Sequence, residues 1–241
     1  MGKDTGRCGR MITIASTSDI HGILDFHVPN SDILTISGDI CSAFDSHNPF
    51  FQLYWLKNNF IPWCSNLIRS GTVKHIVFIA GNHDFVLERV NKGNNDEFKI
   101  KWPENVHYLY QSGIEIDGVK IFGTPWSLIF GNFVFMQDER MLNNYFSQIP
   151  EGLDILLSHS PAYRFNDKIS GENLGSKSLR DNIKRAMPKK VLVGHIHTGS
   201  HSVERLCLDP FEGKFIDSIN VSLVDDEYNV SYPVYRHTVE K

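Results

Sequence analysis

Five short apolar runs, each stopping at a residue able to hold a metal or a phosphate, constrain this chain more than any other feature. Met11 to Ser16 stops at Ser-Asp, and Ile33 to Ser37 stops at Gly-Asp. Lys74 to Ala80 stops at Gly-Asn, Leu153 to Ser158 at His, and Lys190 to Val193 at Gly-His. Consecutive apolar residues rich in Val, Ile and Leu mark strands buried on both faces. The runs therefore predict an α/β domain with its polar residues at strand ends, where open α/β sheets place their ligands. A helix is expected over Phe50 to Arg69, kinked or split at Pro62. Another is expected over Lys177 to Ala186, entered through Ser176 or Ser178, stopped before Pro188, with Leu179, Ile183 and Met187 as its apolar stripe. Val106 to Tyr110 and Val119 to Gly123 read as further strands. In the tail, Val203 to Leu208, Lys214 to Asp217, Asn220 to Val224 and Tyr232 to Val239 read as a second, largely antiparallel sheet packed on the first.

Composition narrows the class. The 241 residues suffice for one core, so the expectation is a flexible segment over 1–10 and a single domain over 11–241. A net charge of -4 argues against extended nucleic-acid binding by charge alone. Four cysteines without a CxxC pair suggest neither a zinc ribbon nor a disulfide framework. Gly2 suggests myristoylation, but Gly6 stands where Ser or Thr is required. No apolar stretch has the length of a secretory core or a membrane span, so the expected setting is cytoplasmic and reducing, with no membrane partner.

The chemistry rests on Asp19-Ile-His21, Gly38-Asp39, Gly81-Asn82-His83-Asp84, His159 and Gly194-His195-Ile-His197. Oxygen and imidazole donors suit two hard or borderline divalent metals. D-x-H puts two donors on one side of an extended chain, and Asp39 is able to bridge two metals about 3.5–4 Å apart. Two divalent metals, Asp19, Asp39 and one bridging hydroxide leave about one net positive charge facing a phosphate ester.

In this order, the segments resemble the calcineurin-like metallophosphoesterase superfamily, whose pattern runs D-x-H, G-D, G-N-H-[DE], a lone H, then G-H-x-H. The match spans Ile12 to Thr198. Gly123-Thr-Pro-Trp126, Asp154-Ile-Leu-Leu-Ser-His159-Ser-Pro161, Gly194-His-Ile-His-Thr-Gly199 and Ile219-Asn-Val-Ser-Leu are similar to a narrower branch. That branch is the metallophosphoesterase-domain-containing (MPPED-type) proteins, which act on phosphodiesters including cyclic nucleotides. The resemblance implies a four-layer α/β/β/α sandwich of two mixed sheets flanked by helices. It implies Asp19, His21 and His197 on a first metal, Asn82, His159 and His195 on a second, and Asp39 on both. Mn²⁺ is the expected metal, with Fe or Zn as alternatives. His83 is implied to face the phosphate and protonate the leaving oxygen.

One departure bears on substrate. Phosphoprotein phosphatases of the superfamily continue as G-D-x-x-D-R-G, whereas this chain reads Gly38-Asp-Ile-Cys-Ser-Ala-Phe-Asp45. The expected reaction is therefore hydrolysis of a small phosphodiester such as a cyclic nucleotide. The alternatives are a phosphomonoesterase, a nuclease acting on ends, or a non-catalytic scaffold. Asp45 is the candidate to orient His83, and Asn82, His83 and Trp126 are the candidates to touch substrate. Phe130 and Phe133 read as core. Cys41 reads as a buried spectator, and Arg180, Lys184, Arg185, Lys189 and Lys190 as a solvated helix face.

Overall fold

The computed structural model describes residues 9–44, 47–93, 96–209 and 214–241. Its strands are β1 (Met11–Thr17), β2 (Ser31–Ser37), β3 (Val73–Ile79), β4 (Val106–Tyr108), β5 (Ser112–Ile116), β6 (Val119–Thr124), β7 (Ser127–Leu128) and β8 (Met136–Gln137). They continue as β9 (Ile155–Ser158), β10 (Lys168–Ile169), β11 (Glu172–Asn173), β12 (Lys190–Val193), β13 (Val203–Asp209), β14 (Lys214–Asn220) and β15 (Tyr235–Glu240). The helices are α1 (Pro49–Trp55), α2 (Ile61–Arg69), α3 (Phe85–Lys92), α4 (Glu139–Phe146) and α5 (Lys177–Ala186).

Two mixed sheets lie face to face. The first runs β15-β1-β2-β3-β4, parallel except for β15. The second runs β13-β14-β12-β9-β6-β5, parallel at its centre and antiparallel at both outer pairs. Side chains alternate across each strand, which explains the unbroken apolar runs. Ile12, Ile14, Val77, Ile79, Ile155, Leu157 and Leu192 fill the layer between the sheets. The intervening Ile76, Phe78, Leu156 and Val191 meet the helix side, with Leu56, Phe60, Phe146, Leu179 and Ile183. The result is the α/β/β/α sandwich.

Three expectations change in detail. The tail does not build its own sheet: β14 pairs in parallel with β12, and β15 returns to β1. The five motif-bearing strands are thus divided, β1 to β3 in one sheet and β9 and β12 in the other. At Pro62 the helix is interrupted without ending. A π turn over Leu56–Phe60, closed by Ile61 N–H on Leu56 O, joins α1 to α2 and gives the proline ring room. Met187 leaves the α5 stripe and caps the helix in the left-handed region (φ 51°), its N–H still bonded to Ile183 O, and the helix stops before Pro188 as expected. Ser176 caps the helix as expected, accepting from Leu179 N–H.

Residues 1–8 of the expected flexible segment lie outside the described residues. Arg10 exchanges both backbone hydrogen bonds with Lys241, extending the β1–β15 pair. Among the described residues no helix is long and apolar enough to cross a membrane.

Far from the motif ends, Asp32 links three strands. Its carboxylate accepts from Thr13 N–H and Oγ1–H, both at 2.8 Å, and from Lys74 at 2.6 Å. Burial works to raise its pKa, but Lys74 and Thr13 outweigh it and lower the carboxyl to about 2. A depressed carboxyl stabilises the fold above its usual pKa, and that contribution is lost as pH falls through the folded value. We expect Asp32→Ala to cost about 1–2 kcal/mol at neutral pH, read as a lower melting temperature. The gap from wild type should close as pH falls from 3.8 toward about 2. A gap that persists unchanged at that acidity would contradict this role.

Candidate metal centre

The C-terminal ends of β1, β2 and β3 meet those of β9 and β12, and there the chain turns sharply. Asp19, His21, Asp39 and His195 all have positive φ, between 41° and 69°, a region uncommon outside glycine and costly to hold. Interlocking bonds hold the turns: Asp19 N–H on Gly38 O at 2.9 Å, His21 N–H on Asp39 O at 3.0 Å, and Gly22 N–H on Ile40 O at 2.8 Å. Glycine is needed for approach as well. A Cβ at Gly81 would overlap the Asp39 carboxylate, and one at Gly194 would overlap Ser18 and Asp19.

The turns gather two nests. The donor atoms of Asp19, His21 and His197 lie within 4.8 Å of one another, and so do those of Asp39, His159 and His195. Asp39 stands between them, its Oδ2 3.8 Å from His21 Nε2 and 3.4 Å from His159 Nε2. Asn82 Oδ1 joins the second nest, 2.9 Å from His159 Nε2. Every metal-ligand candidate from the sequence is therefore in one place.

The donors are oriented for cations. His159 Nδ1 donates to Ser37 O and His197 Nδ1 to Asp225 O, each at 3.0 Å. Such carbonyl bonds hold Nδ1 and turn Nε2 toward the centre; burial lowers both rings, but Asp39 raises His159 to about 9 and Asp19 raises His197 to about 8, so each Nε2 carries a proton that a bound cation would replace. Asp19 accepts from Ser222 Oγ–H at 2.7 Å and from His195 N–H at 3.1 Å. Burial would raise Asp19, but the His197 hydrogen bond and charge hold its carboxyl below the usual range. Burial pushes His21 down to about 4, and burial with His159 pushes His195 down to about 3, so both are neutral imidazoles. Both ring nitrogens of His21 are buried without a hydrogen-bond partner, a cost of about 1–3 kcal/mol for an unmade bond. A cation taking an imidazole nitrogen removes that cost. The nests thus fit divalent metals by donor type and by this unsatisfied ring.

His83 belongs to neither nest. Its backbone N–H donates to Asp39 Oδ1 at 2.8 Å, and its ring meets His21 edge-on at 5.0 Å between centroids. Its Nδ1 is 3.0 Å from His47 Nε2. Burial lowers the His83 pKa.

Several residues escaped the sequence reading. His47, which fits no motif, reaches His83 from the loop ahead of α1. Asp45, the sequence candidate for that contact, lies outside the described residues. Asp84 was visible inside its motif but had no assigned role. Its buried carboxylate accepts from Ile40 N–H at 3.0 Å, Cys41 N–H at 2.8 Å and Gly81 N–H at 2.8 Å, pinning the loop after β2 to the loop after β3. Ser222 holds Asp19, and the Tyr228 ring lies 4.8 Å from His21; neither spacing gave a signal.

The aromatic assignments reverse. Trp126, the expected substrate contact, is only 7% exposed and stacks on Tyr145 at 4.0 Å, packed with the core. Phe130 and Phe133, read as core, stand at the site, 5.2 Å from the His195 ring and 4.9 Å from the His83 ring. Trp126 precedes β7 and faces α4, whereas the loop after β7 swings over the centre. Cys41 is buried and offers its backbone N–H to Asp84. In the basic run, Arg185 bonds the carbonyls of Ser147 and Ile149, and Lys189 pairs with Asp154.

Paired nests of this composition, with a carboxylate between them at the mouth of a four-layer sandwich, are suited to hold a pair of divalent cations. The sequence pattern of the calcineurin-like phosphoesterases matches residues 12–199, and the chain belongs to that family. A UPF0046 protein of Caenorhabditis elegans is 29% identical over 207 residues, covering 78% of this chain and 68% of that protein. A second UPF0046 protein of that organism is 32% identical over 141 residues, 56% of this chain and 34% of its own. The human metallophosphoesterase domain-containing protein 1 is 27% identical over 206 residues, 76% of this chain and 59% of its own. The chain thus spans between about a third and about two thirds of these relatives' lengths. Family members use divalent metals, and the nests are where this chain would hold them.

Removing Asp84 tests how the loops are held. Asp84→Ala leaves three buried N–H groups without their acceptor, each costing about 1–3 kcal/mol. We expect urea unfolding of metal-free protein to show a loss of at least about 3 kcal/mol. Wild-type stability in that variant would contradict the pinning role.

Proposed function

We propose that this chain is a phosphodiesterase for a small substrate, a cyclic nucleotide being the leading candidate. The observation that carries the reading is the completeness of the centre: every donor expected of a dinuclear site is present and convergent. In this reading Asp19, His21 and His197 hold one cation, Asn82, His159 and His195 hold the other, and Asp39 touches both. The nitrogen and oxygen donors suit Mn²⁺. When bound, such a pair lowers the pKa of water and offsets charge on a phosphoryl group.

The chain's own residues supply the rest. Asn82 fixes the second nest through its contact with His159. His83 stands beside the centre without being bound into it and gives the leaving oxygen its proton. His47 orients that ring through the 3.0 Å contact at Nδ1, leaving Nε2 to face substrate. The lack of an Arg in the segment after Asp39 supports a small diester over a phosphoprotein.

Three variants test this. Asp39→Ala is expected to abolish hydrolysis of bis-p-nitrophenyl phosphate in Mn²⁺ buffer; activity retained at wild-type level rules out the dinuclear reading. His83→Ala is expected to keep its metal and lose about 10²–10⁴-fold in kcat, whereas lost metal would make His83 a ligand. His47→Ala is expected to lower kcat about tenfold with KM unchanged, and to add nothing further in the His83→Ala background. Additive losses would show that His47 does not act through His83.

A further inference from the structure

A cleft of about 560 Å³ opens directly beside His195. One lip is the loop carrying Ile129 and Phe130; the other is the β10–β11 hairpin and its return, carrying Ile169 and Leu174. These four apolar side chains remain 62%, 60%, 41% and 47% exposed, respectively. The hairpin return is fixed rather than loose: Asp167 takes Leu174 N–H on its backbone carbonyl at 3.0 Å and Gly175 N–H on its carboxylate at 2.9 Å. Phe130 touches the His195 ring at 5.2 Å, so the apolar wall begins at the metal centre itself.

Charge in this cleft is scarce. Among the described lining residues, Lys177 is the cation and Glu139 the anion, His195 being neutral. Glu139 is fully engaged: it accepts from Ser176 Oγ–H at 2.9 Å, from Lys177 N–H at 2.8 Å and from the Ser178 hydroxyl. The Lys177 ammonium lies over the Tyr163 ring, 5.3 Å from its centroid. A substrate carrying several phosphates beyond the reacting one would find a single ammonium there. A flat apolar group would find both lips.

We infer that the cleft binds the ester group of the substrate, and that this group is aromatic, a nucleobase or an aryl ring. The inference rests on the phosphoester reading of the adjoining centre and names the chemistry that centre would select. An aromatic face has enough apolar area to cover Ile129, Phe130, Ile169 and Leu174 at once. A methyl ester does not.

The test is a comparison of affinities, independent of turnover. Phenylphosphonate, methylphosphonate and uridine 5′-monophosphate are titrated into metal-free and Mn²⁺-loaded protein by calorimetry. We expect phenylphosphonate to bind at least about tenfold tighter than methylphosphonate, about one CH-rich ring's worth of burial. Leu174→Asp and Ile129→Asp are each expected to bring that ratio close to one while the melting temperature holds, since both side chains are largely exposed. Uridine monophosphate binding tighter than phenylphosphonate identifies the nucleobase form; the reverse identifies the aryl form. Equal affinity for phenyl and methyl in both states, or a ratio untouched in both variants, overturns the assignment. Failure of hydrolysis with a preserved phenyl preference would instead remove the catalytic reading and leave the cleft.

Discussion

Asp19 and Asp39 are carboxylates held out of water at the junction of two sheets. A buried anion is costly unless paired and hydrogen-bonded, and much of the surrounding architecture supplies that pairing. Asp19 takes a hydroxyl from Ser222, a backbone N–H from His195 and the His197 ring. Asp39 takes the His83 backbone N–H and sits between His21 and His159. Within the chain that compensation falls to two rings: burial lowers both, but Asp39 raises His159 to about 9 and Asp19 raises His197 to about 8, while burial holds His21 and His195 neutral. Divalent cations bound there would take over the compensation, with the rings as neutral ligands.

The sandwich exists, for this purpose, to make five strand ends meet. Because both faces of each central strand are covered, the strands are fixed by packing, and the loops beyond them inherit that rigidity. Asp84 then joins two of the loops through three backbone bonds. Backbone strain at four left-handed residues is tolerated because the loop-to-loop bonds leave no other arrangement.

How much could be read in advance follows from the same physics. Continuous apolar runs announce strands buried on both faces, so the motif-bearing strands and the ligands at their ends were legible. Sheet membership was not: β9 and β12 read like β1 to β3, and nothing local says which sheet takes them or that β15 returns to β1. Met187 looked like part of a stripe, but the helix stops at it ahead of Pro188 and leaves it as the cap. Trp126 and Phe130 are both aromatic residues near one strand, and only the path of the loop after β7 decides which is core and which faces the centre. His47 carries no motif because its role depends on where a loop lands, not on spacing.

The most direct measurement is a crystal of the Mn²⁺-soaked protein with anomalous scattering at the metal edge. The account predicts two peaks about 3.5–4 Å apart, one among Asp19, His21 and His197, the other among Asn82, His159 and His195, with Asp39 touching both. A single peak, or peaks away from Asp39 under saturating metal, would contradict it.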